Sequence, residues 1–593
     1  MSMRLVSVAS DENPDAQQGP ISVLIIGAGP AGLVNARTLL QDEFSVTIVA
    51  KEDGVGGCWR NTYPDLTTNA PWGAFTFPGL DMPKPSSLEG KVVPARAYRR
   101  YLEEFYHYFV EGKVEMHLST EVISLTPTAN ASRGWTARLA REGDGETRAF
   151  DRVVLATGYL GKPLIPLLFR QSPIPTFHTA DLANSAQLSR LLEVLPSSPA
   201  SPVPQGDEET VLVVGGGKSG MDLAALLTNR GRKVVWTFRG PLKWFAPVVP
   251  PGMMGANRMD IYFGPSRTID SWAMWFYHRT WLGALMIRLF WKMMRLGWST
   301  VYSEKMPAPT TDPYLSLAQF AGGIPTESTD FQPLLAAGRI ASVPNITPIA
   351  VEDDGVVFES SNAHKEKLKI KCGAIVLATG YNGANYDFID GATRQSLGLD
   401  TESPDKGSKD RIKAFRDRWR SITAGKEIGE EKEIKLPLVL RGILPFGRWT
   451  QRDLAVTGAT RSYAIPAISY EVESHWISSM FNDDPCMRLP VTESDCLAEI
   501  HAENDFIRAR YPGIVPHDQI PSSTYFTGFN DLAHTRTLLR DLMLNPWRQK
   551  SDKKWWQFWK IGDWLDVRIH PEQYATLADE RRAIRGRVHR STD

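Results

Sequence analysis

The chain has 593 residues, of which 42% are hydrophobic, enough for about three to four domain-sized units with real cores. Its 67 basic residues balance 67 acidic ones, so no global field directs it to nucleic acid. Four cysteines, Cys58, Cys372, Cys486 and Cys496, lie far apart without a C-x-x-C pair, which argues against a disulfide framework, a zinc site or a redox dithiol and fits a reducing, cytoplasmic setting.

Residues 1–20 carry Asp11, Glu12 and Asp15 with no basic-then-apolar pattern and read as a disordered lead rather than a secretory signal. No run of about 18 uncharged apolar residues occurs, which argues against a spanning helix. The first ordered pattern is a buried parallel strand, Ser22 to Ile26. It is followed by Gly27-Ala28-Gly29-Pro30-Ala31-Gly32, a helix over Leu33 to Gln41 and a second strand over Ser45 to Val49. In such a β-α-β start, glycines let backbone N–H groups at the helix N-terminus approach a pyrophosphate. Val153 to Tyr159 then reads as another buried strand ending in a glycine turn.

Residues 195–209, rich in Pro, Ser and acidic side chains, read as a linker. Beyond it the pattern repeats: strand Val211 to Val214, Gly215-Gly216-Gly217-Lys218-Ser219-Gly220, helix Gly220 to Thr228 and strand Lys233 to Phe238. Two fingerprints with a domain's length between them predict two dinucleotide sites. Arg239 ends the strand after the second fingerprint, where a basic group can pair with a 2′-phosphate. Lys218 lies in the loop itself, and both favour NADPH over NADH. Ile375 to Tyr381 nearly copies Val153 to Tyr159, as if the chain leaves one domain, builds a second and returns.

The fold class expected is therefore α/β, with two Rossmann-like domains, the second inserted into a discontinuous first. The boundaries are 21–194 and 366–545 for the first domain and 210–365 for the second. A mainly helical aromatic-rich insert lies at about 265–335, a charged, solvated insertion at about 401–433, and a Trp-rich extension at 546–593.

Ordered motifs between about residues 21 and 545 resemble those of the class B flavin-dependent monooxygenases, the flavin-containing monooxygenase type. After the first fingerprint, Gly56-Gly57-Cys58-Trp59 is similar to the family's G-G-x-W, and Tyr63 to Asn69 to its segment ending in T-N. The two A-T-G-Y runs flank the second fingerprint. Leu436-Pro437-Leu438, Glu471 to Trp476 and Asn530 to Ala533 follow in family order. The resemblance implies FAD on Gly27, Gly29, Pro30, Ala31 and Gly32, with Gly57, Trp59 and Thr68 nearby. It implies NADPH on Gly215, Gly217, Lys218, Ser219, Gly220 and Arg239, with Thr379 and Gly380 beside the cofactors. Hydride would pass to the flavin, whose reduced form would trap dioxygen as a C4a-peroxide. Asn69 is the expected catalytic residue, its amide placed to donate to that oxygen; on residue type alone it is equally an Asx-turn residue before Pro71.

Departures from the family pattern carry their own expectations. Ala50 stands where the family has the acid for the flavin ribose, and Glu52 substitutes if the turn shifts. The F-x-G-x-x-x-H signature is degenerate around His178, which is either part of that signature or a structural histidine. Gly373 replaces an aspartate before the second A-T-G-Y run. Asp222 is expected to cap or pack its helix. No G-x-S-x-G or H-E-x-x-H spacing occurs and no metal site is expected.

Trp272, Trp275, Phe276, Trp281 and their neighbours, with Arg288, Lys292 and Arg295 at helical spacing, and a second cluster over 553–560, admit two readings. One is a surface resting on a membrane. The other, favoured because aromatic stripes are usually core, is a lid or homodimer surface buried against the cofactor domains. The functional expectation is oxygenation of a heteroatom, or hydroxylation, in a small lipophilic or aromatic molecule of secondary metabolism. Baeyer–Villiger oxygen insertion and a non-catalytic flavin-binding protein are the alternatives.

Overall fold

The computed structural model describes residues 19–72, 75–83, 92–128, 133–141, 144–198, 201–239, 265–268, 272–301, 331–361, 364–421, 434–459, 461–462, 466–485, 487–510, 526–528, 531–548 and 571–592. The Trp-rich run 553–560 and most of the N-terminal lead fall outside them.

The first unit opens with β1 (Ser22–Ile26), α1 (Pro30–Gln41) and β2 (Ser45–Val49), followed by β3 (Thr67–Pro71), α2 (Ala95–Phe109) and β4 (Glu115–His117). An antiparallel three-stranded meander over residues 121–150 leads into β5 (Arg152–Leu155). The expected helix began at Leu33, whereas the observed one begins at Pro30. Proline's fixed φ and missing N–H suit the first helical position, so the helix starts three residues earlier than a pattern of apolar side chains reveals.

The chain then crosses over. β6 (Thr176–His178), β7 (Thr210–Val214), α3 (Lys218–Asn229) and β8 (Lys233–Phe238) begin the second unit. Two helices, α4 (Trp272–Arg279) and α5 (Trp281–Val301), are followed by β9 (Ile340–Pro344), another antiparallel meander over 346–371 and β10 (Ala374–Leu377). These strands form a parallel sheet in the order β6-β10-β7-β8-β9. Between the units, the supposed linker is held down: Gln205 O accepts the Lys371 N–H at 2.8 Å, and Lys233 ion-pairs with Asp207 and Glu209.

On its return the chain forms α6 (Ser408–Asp417), β11 (Leu454–Val456), α7 (Pro466–Phe481), α8 (Glu493–Arg510) and α9 (Leu577–Thr592). β11 joins the edge of the first sheet, giving the parallel order β11-β5-β1-β2-β4. The first unit is thus discontinuous in sequence and the second is inserted into it. Apolar runs such as Val23-Leu24-Ile25 are buried on both sheet faces, as crossover helices require. The charged stretch after Thr401 is less solvated than composition suggests. α6 docks on α8, where Arg411 and Ser408 engage the fully buried Asp505; residues 422–433 lie outside the described set.

Buried charges tie α1, α7 and α9 together. Arg37 pairs with Glu471, Glu471 accepts from His475, and Arg581 reaches Asp42 and His475. α9 therefore closes over the first unit.

Candidate active site

Both fingerprints fold in the same way. At the first, Gly27 takes φ +117°, and a Cβ there would lie 2.4 Å from Ala156 O. A Cβ on Gly32 would lie 2.0 Å from Gly27 O. At the second, Gly215 takes φ +134° with Ala378 O 2.2 Å from the same hypothetical atom, and Gly220 meets Gly215 O at 2.1 Å. These four glycines are required by close packing of strand, turn and helix. Gly29 differs: its φ is −78°, and a Cβ would meet only Gly57 Cα, at 3.7 Å. Packing leaves room for a side chain at Gly29, so the glycine there serves whatever approaches the loop.

α1 starts at N-cap Gly29 and α3 at N-cap Gly217, and neither has a side-chain cap or an acid in its first turn. The N–H groups of Ala31, Gly32, Lys218 and Ser219 consequently lie at two uncapped, partly positive helix ends, the arrangement that binds pyrophosphate. The donor set fits a dinucleotide at each.

Around the first cradle, Gly56 N–H donates to Ala28 O at 2.9 Å, bringing the G-G-C-W turn onto the glycine loop. Trp59 packs edge-on against Phe75 and Tyr98. Cys58 is exposed, yet surrounding protein pushes its thiol up to about 11, with the Glu52 carboxylate adding to the rise. Glu52 is half-buried at the same turn, its carbonyl accepting Ser119 N–H at 2.9 Å, while Ala50 is buried and paired to His117 and Thr120. Thr68 Oγ1 accepts from Val93 N–H at 3.0 Å, fixing β3; Asn69 lies on that strand, and its side chain is outside the described residues.

At the second cradle the side chains turn inward. Lys218, mostly buried, ion-pairs with buried Asp222 rather than pointing to solvent. Tyr63, from the first unit, donates to Asp222 Oδ2 at 2.9 Å, and Ser219 hydrogen-bonds the same phenol. Burial, then the Asp222 charge, hold the Tyr63 phenol well above its usual value. Burial raises the Asp222 carboxyl although Lys218 and Tyr63 oppose the rise. Asp222, expected only to cap or pack, is the centre of a cluster joining the units, and the sequence signal was its i,i+4 spacing from Lys218. Arg239 sits exposed just past the C-terminal end of β8, the strand beside β7.

The two A-T-G-Y turns run against each other as the crossing between units. Gly161 N–H donates to Gly383 O at 3.3 Å, Asn382 N–H to Lys162 O at 2.8 Å, and Thr379 Oγ1 to Leu164 O at 2.5 Å. His178 supports this crossing. Its Nδ1 accepts Ala180 N–H at 3.1 Å, which leaves the proton on Nε2 to donate to Gly380 O at 3.0 Å. Burial lowers its pKa despite that bond, so the ring is neutral with both nitrogens committed. His178 is a structural histidine.

Among the described residues no group of histidines, cysteines and acids could hold a metal ion, and no helix is long and apolar enough to cross a membrane. Within this chain the aromatic insert is not a buried lid: Trp272 and Trp281 are 69% and 71% exposed, and α5 turns its small residues Gly283 and Ala284 inward.

Two parallel-sheet units, each with a glycine cradle at the carboxyl end of its strands and joined by a double crossing, define a two-dinucleotide oxidoreductase. The pyridine nucleotide-disulphide oxidoreductase family model matches residues 21–242. The FAD-dependent monooxygenase DEP4 of Alternaria brassicicola is 25% identical, the match covering 95% of this chain and 95% of that protein. Flavin-containing monooxygenase 1 of Sus scrofa is 26% identical, over 62% of this chain and 63% of that one. In fold, the open structure of a cyclohexanone monooxygenase matches with a TM-score of 0.51 at 15% identity, over 88% of this chain and 98% of that one. The chain is thus similar to flavin-dependent monooxygenases, over nearly its whole length in the Alternaria case.

Proposed function

We propose that the protein uses FAD at the first cradle and NADPH at the second to insert one atom of dioxygen into a small, lipophilic or aromatic organic molecule, by heteroatom oxygenation or hydroxylation. The observation that carries the reading is the pair of uncapped helix N-termini, at Gly29 and Gly217, on two sheets joined by one crossing. FAD and NADPH supply hydride transfer and oxygen activation when bound.

The chain's own residues do the rest. Backbone N–H groups of Ala31 and Gly32 bind the flavin pyrophosphate, and Glu52 replaces Ala50 as the acid for its ribose. Lys218 and Ser219 N–H groups hold the second pyrophosphate, and Arg239 selects the 2′-phosphate. Asn69 offers an amide beside the reacting centre. A tailoring role in secondary metabolism agrees with the full-length likeness to a fungal monooxygenase and with the aromatic insert.

The test is product analysis under isotopically labelled dioxygen, with FAD, NADPH and a panel of aromatic sulfides, amines, phenols and ketones. One labelled oxygen in a sulfoxide, hydroxylamine or phenol is the expected result. Labelled esters from ketones alone would make it a Baeyer–Villiger enzyme. Oxidation of hydrophilic amino acids alone would overturn the lipophilic-substrate reading.

A further inference from the structure

Helix α5 is amphipathic in the wrong sense for a soluble surface. Its inward side is Gly283, Ala284 and Ile287, all buried, and its solvent side carries Trp281, Leu282, Leu285, Met286 and Leu289. At 100° per residue these exposed positions fall on one half of the helix; exposed Arg288 borders them, and exposed Lys292 follows on the same side just past Leu289. Trp272 and Trp275 of α4 add two more exposed indoles beside them. Contiguous exposed apolar surface of this kind marks a docking face rather than ordinary scatter.

Charge identifies the occupant. Between residues 272 and 301 there is no aspartate or glutamate, against Arg279, Arg288, Lys292 and Arg295. Arg288 donates toward Arg420 O, and exposed Arg418 and Arg420 extend the basic border onto the segment beyond α6, where exposed Asp417 is paired to Lys413. An apolar face with indoles, rimmed by cations and free of acids, fits the headgroup region of an anionic bilayer. There indoles sit at the interface and lysine and arginine meet phosphates.

We infer that the Trp272–Val301 helical pair docks the protein on the surface of an anionic membrane, with α5 lying in the interface plane and no part of it spanning. The cradles and the crossing between units lie on other elements, so docking leaves them intact.

The experiment is cosedimentation of the FAD-loaded protein with vesicles of phosphatidylcholine alone and of phosphatidylcholine mixed with phosphatidylserine. Expected is binding to the mixed vesicles that weakens with salt, with a blue shift of tryptophan emission. Leu285→Glu with Leu289→Glu should abolish it while flavin content and the thermal midpoint stay at wild-type values. Leu167→Glu, at an exposed apolar residue elsewhere, should not. If the double variant fails to fold, Arg288→Gln and Lys292→Gln carry the test, each weakening partition about fivefold. Equal pelleting by wild type and variants, or no pelleting at all, would overturn the inference. So would a dimer in solution that the same glutamates dissociate, which would assign the face to a second copy of the chain.

Discussion

The phenol of Tyr63, in the first dinucleotide unit, donates a 2.9 Å hydrogen bond to Asp222 Oδ2, on the helix that opens the second cradle. The same carboxylate holds Lys218, so one buried acid neutralises the loop lysine and ties the two units together.

Removing the lysine leaves that carboxylate buried without its cation. Lys218→Met should therefore destabilise by about 3–5 kcal/mol in denaturant unfolding, and Lys218→Met with Asp222→Leu should recover most of the loss. A Lys218→Met protein of wild-type stability that has lost NADPH affinity would instead put the lysine on the nucleotide.

Gly29→Ala separates packing from ligand approach. With φ −78° and its nearest neighbour at 3.7 Å, the new methyl group is expected to leave the thermal midpoint of the FAD-free protein within a few degrees of wild type while flavin loading falls at least tenfold. Gly27→Ala, which would place a Cβ 2.4 Å from Ala156 O, should lower the midpoint of the FAD-free protein as well. Flavin content after desalting, read beside the melting curves, distinguishes the two.

Acid should weaken the fold through its buried histidines. His178 and His475 are held below 6.5 chiefly by burial, and His534 is pushed down to about 3 by burial, then by Arg441 and Arg267. A depressed folded-state pKa means the unfolded chain binds protons first. Stability is therefore full above pH 6.5 and declines as pH falls toward the folded-state values, by up to about 1.4 kcal/mol per pH unit per histidine. Denaturant midpoints measured from pH 7 down to about pH 5 should fall, and His534→Gln should flatten the slope. A flat profile in the wild type would contradict the burial of these rings.

Asn69→Ala should leave flavin loading and reduction by NADPH unchanged but divert oxygen to hydrogen peroxide, with oxygenated product falling about tenfold or more per NADPH consumed. Peroxide and product assays on the same reaction read this directly. Unchanged coupling would leave Asn69 a turn residue.

The strands and both cradles were legible because parallel strands buried on both faces are continuous apolar runs, and because glycines forced by a carbonyl 2.0–2.4 Å away cannot be replaced. Ser22–Ile26, Ser45–Val49 and Lys233–Phe238 have the expected bounds. What the sequence hid depends on partners far along the chain. The ion pair of Lys218 with Asp222, and the Tyr63 phenol behind it, are among these. His178 looked ambiguous until Ala180 and Gly380 took both its nitrogens. Charged α6 looked solvated until Asp505 was found beneath it. The tryptophans of α4 and α5 face solvent in this chain rather than its core, because helical spacing tells which residues share a face and not which way that face turns.

The central claim is that the two cradles work together, and anaerobic titration of the FAD-loaded protein with NADPH tests it most directly. The account expects the flavin absorbance to bleach with one equivalent of NADPH, far more slowly with NADH, and with weakened NADPH dependence in Arg239→Gln. A flavin that dithionite reduces but NADPH does not would show that the second cradle is no hydride site, and the monooxygenase reading would fall with it.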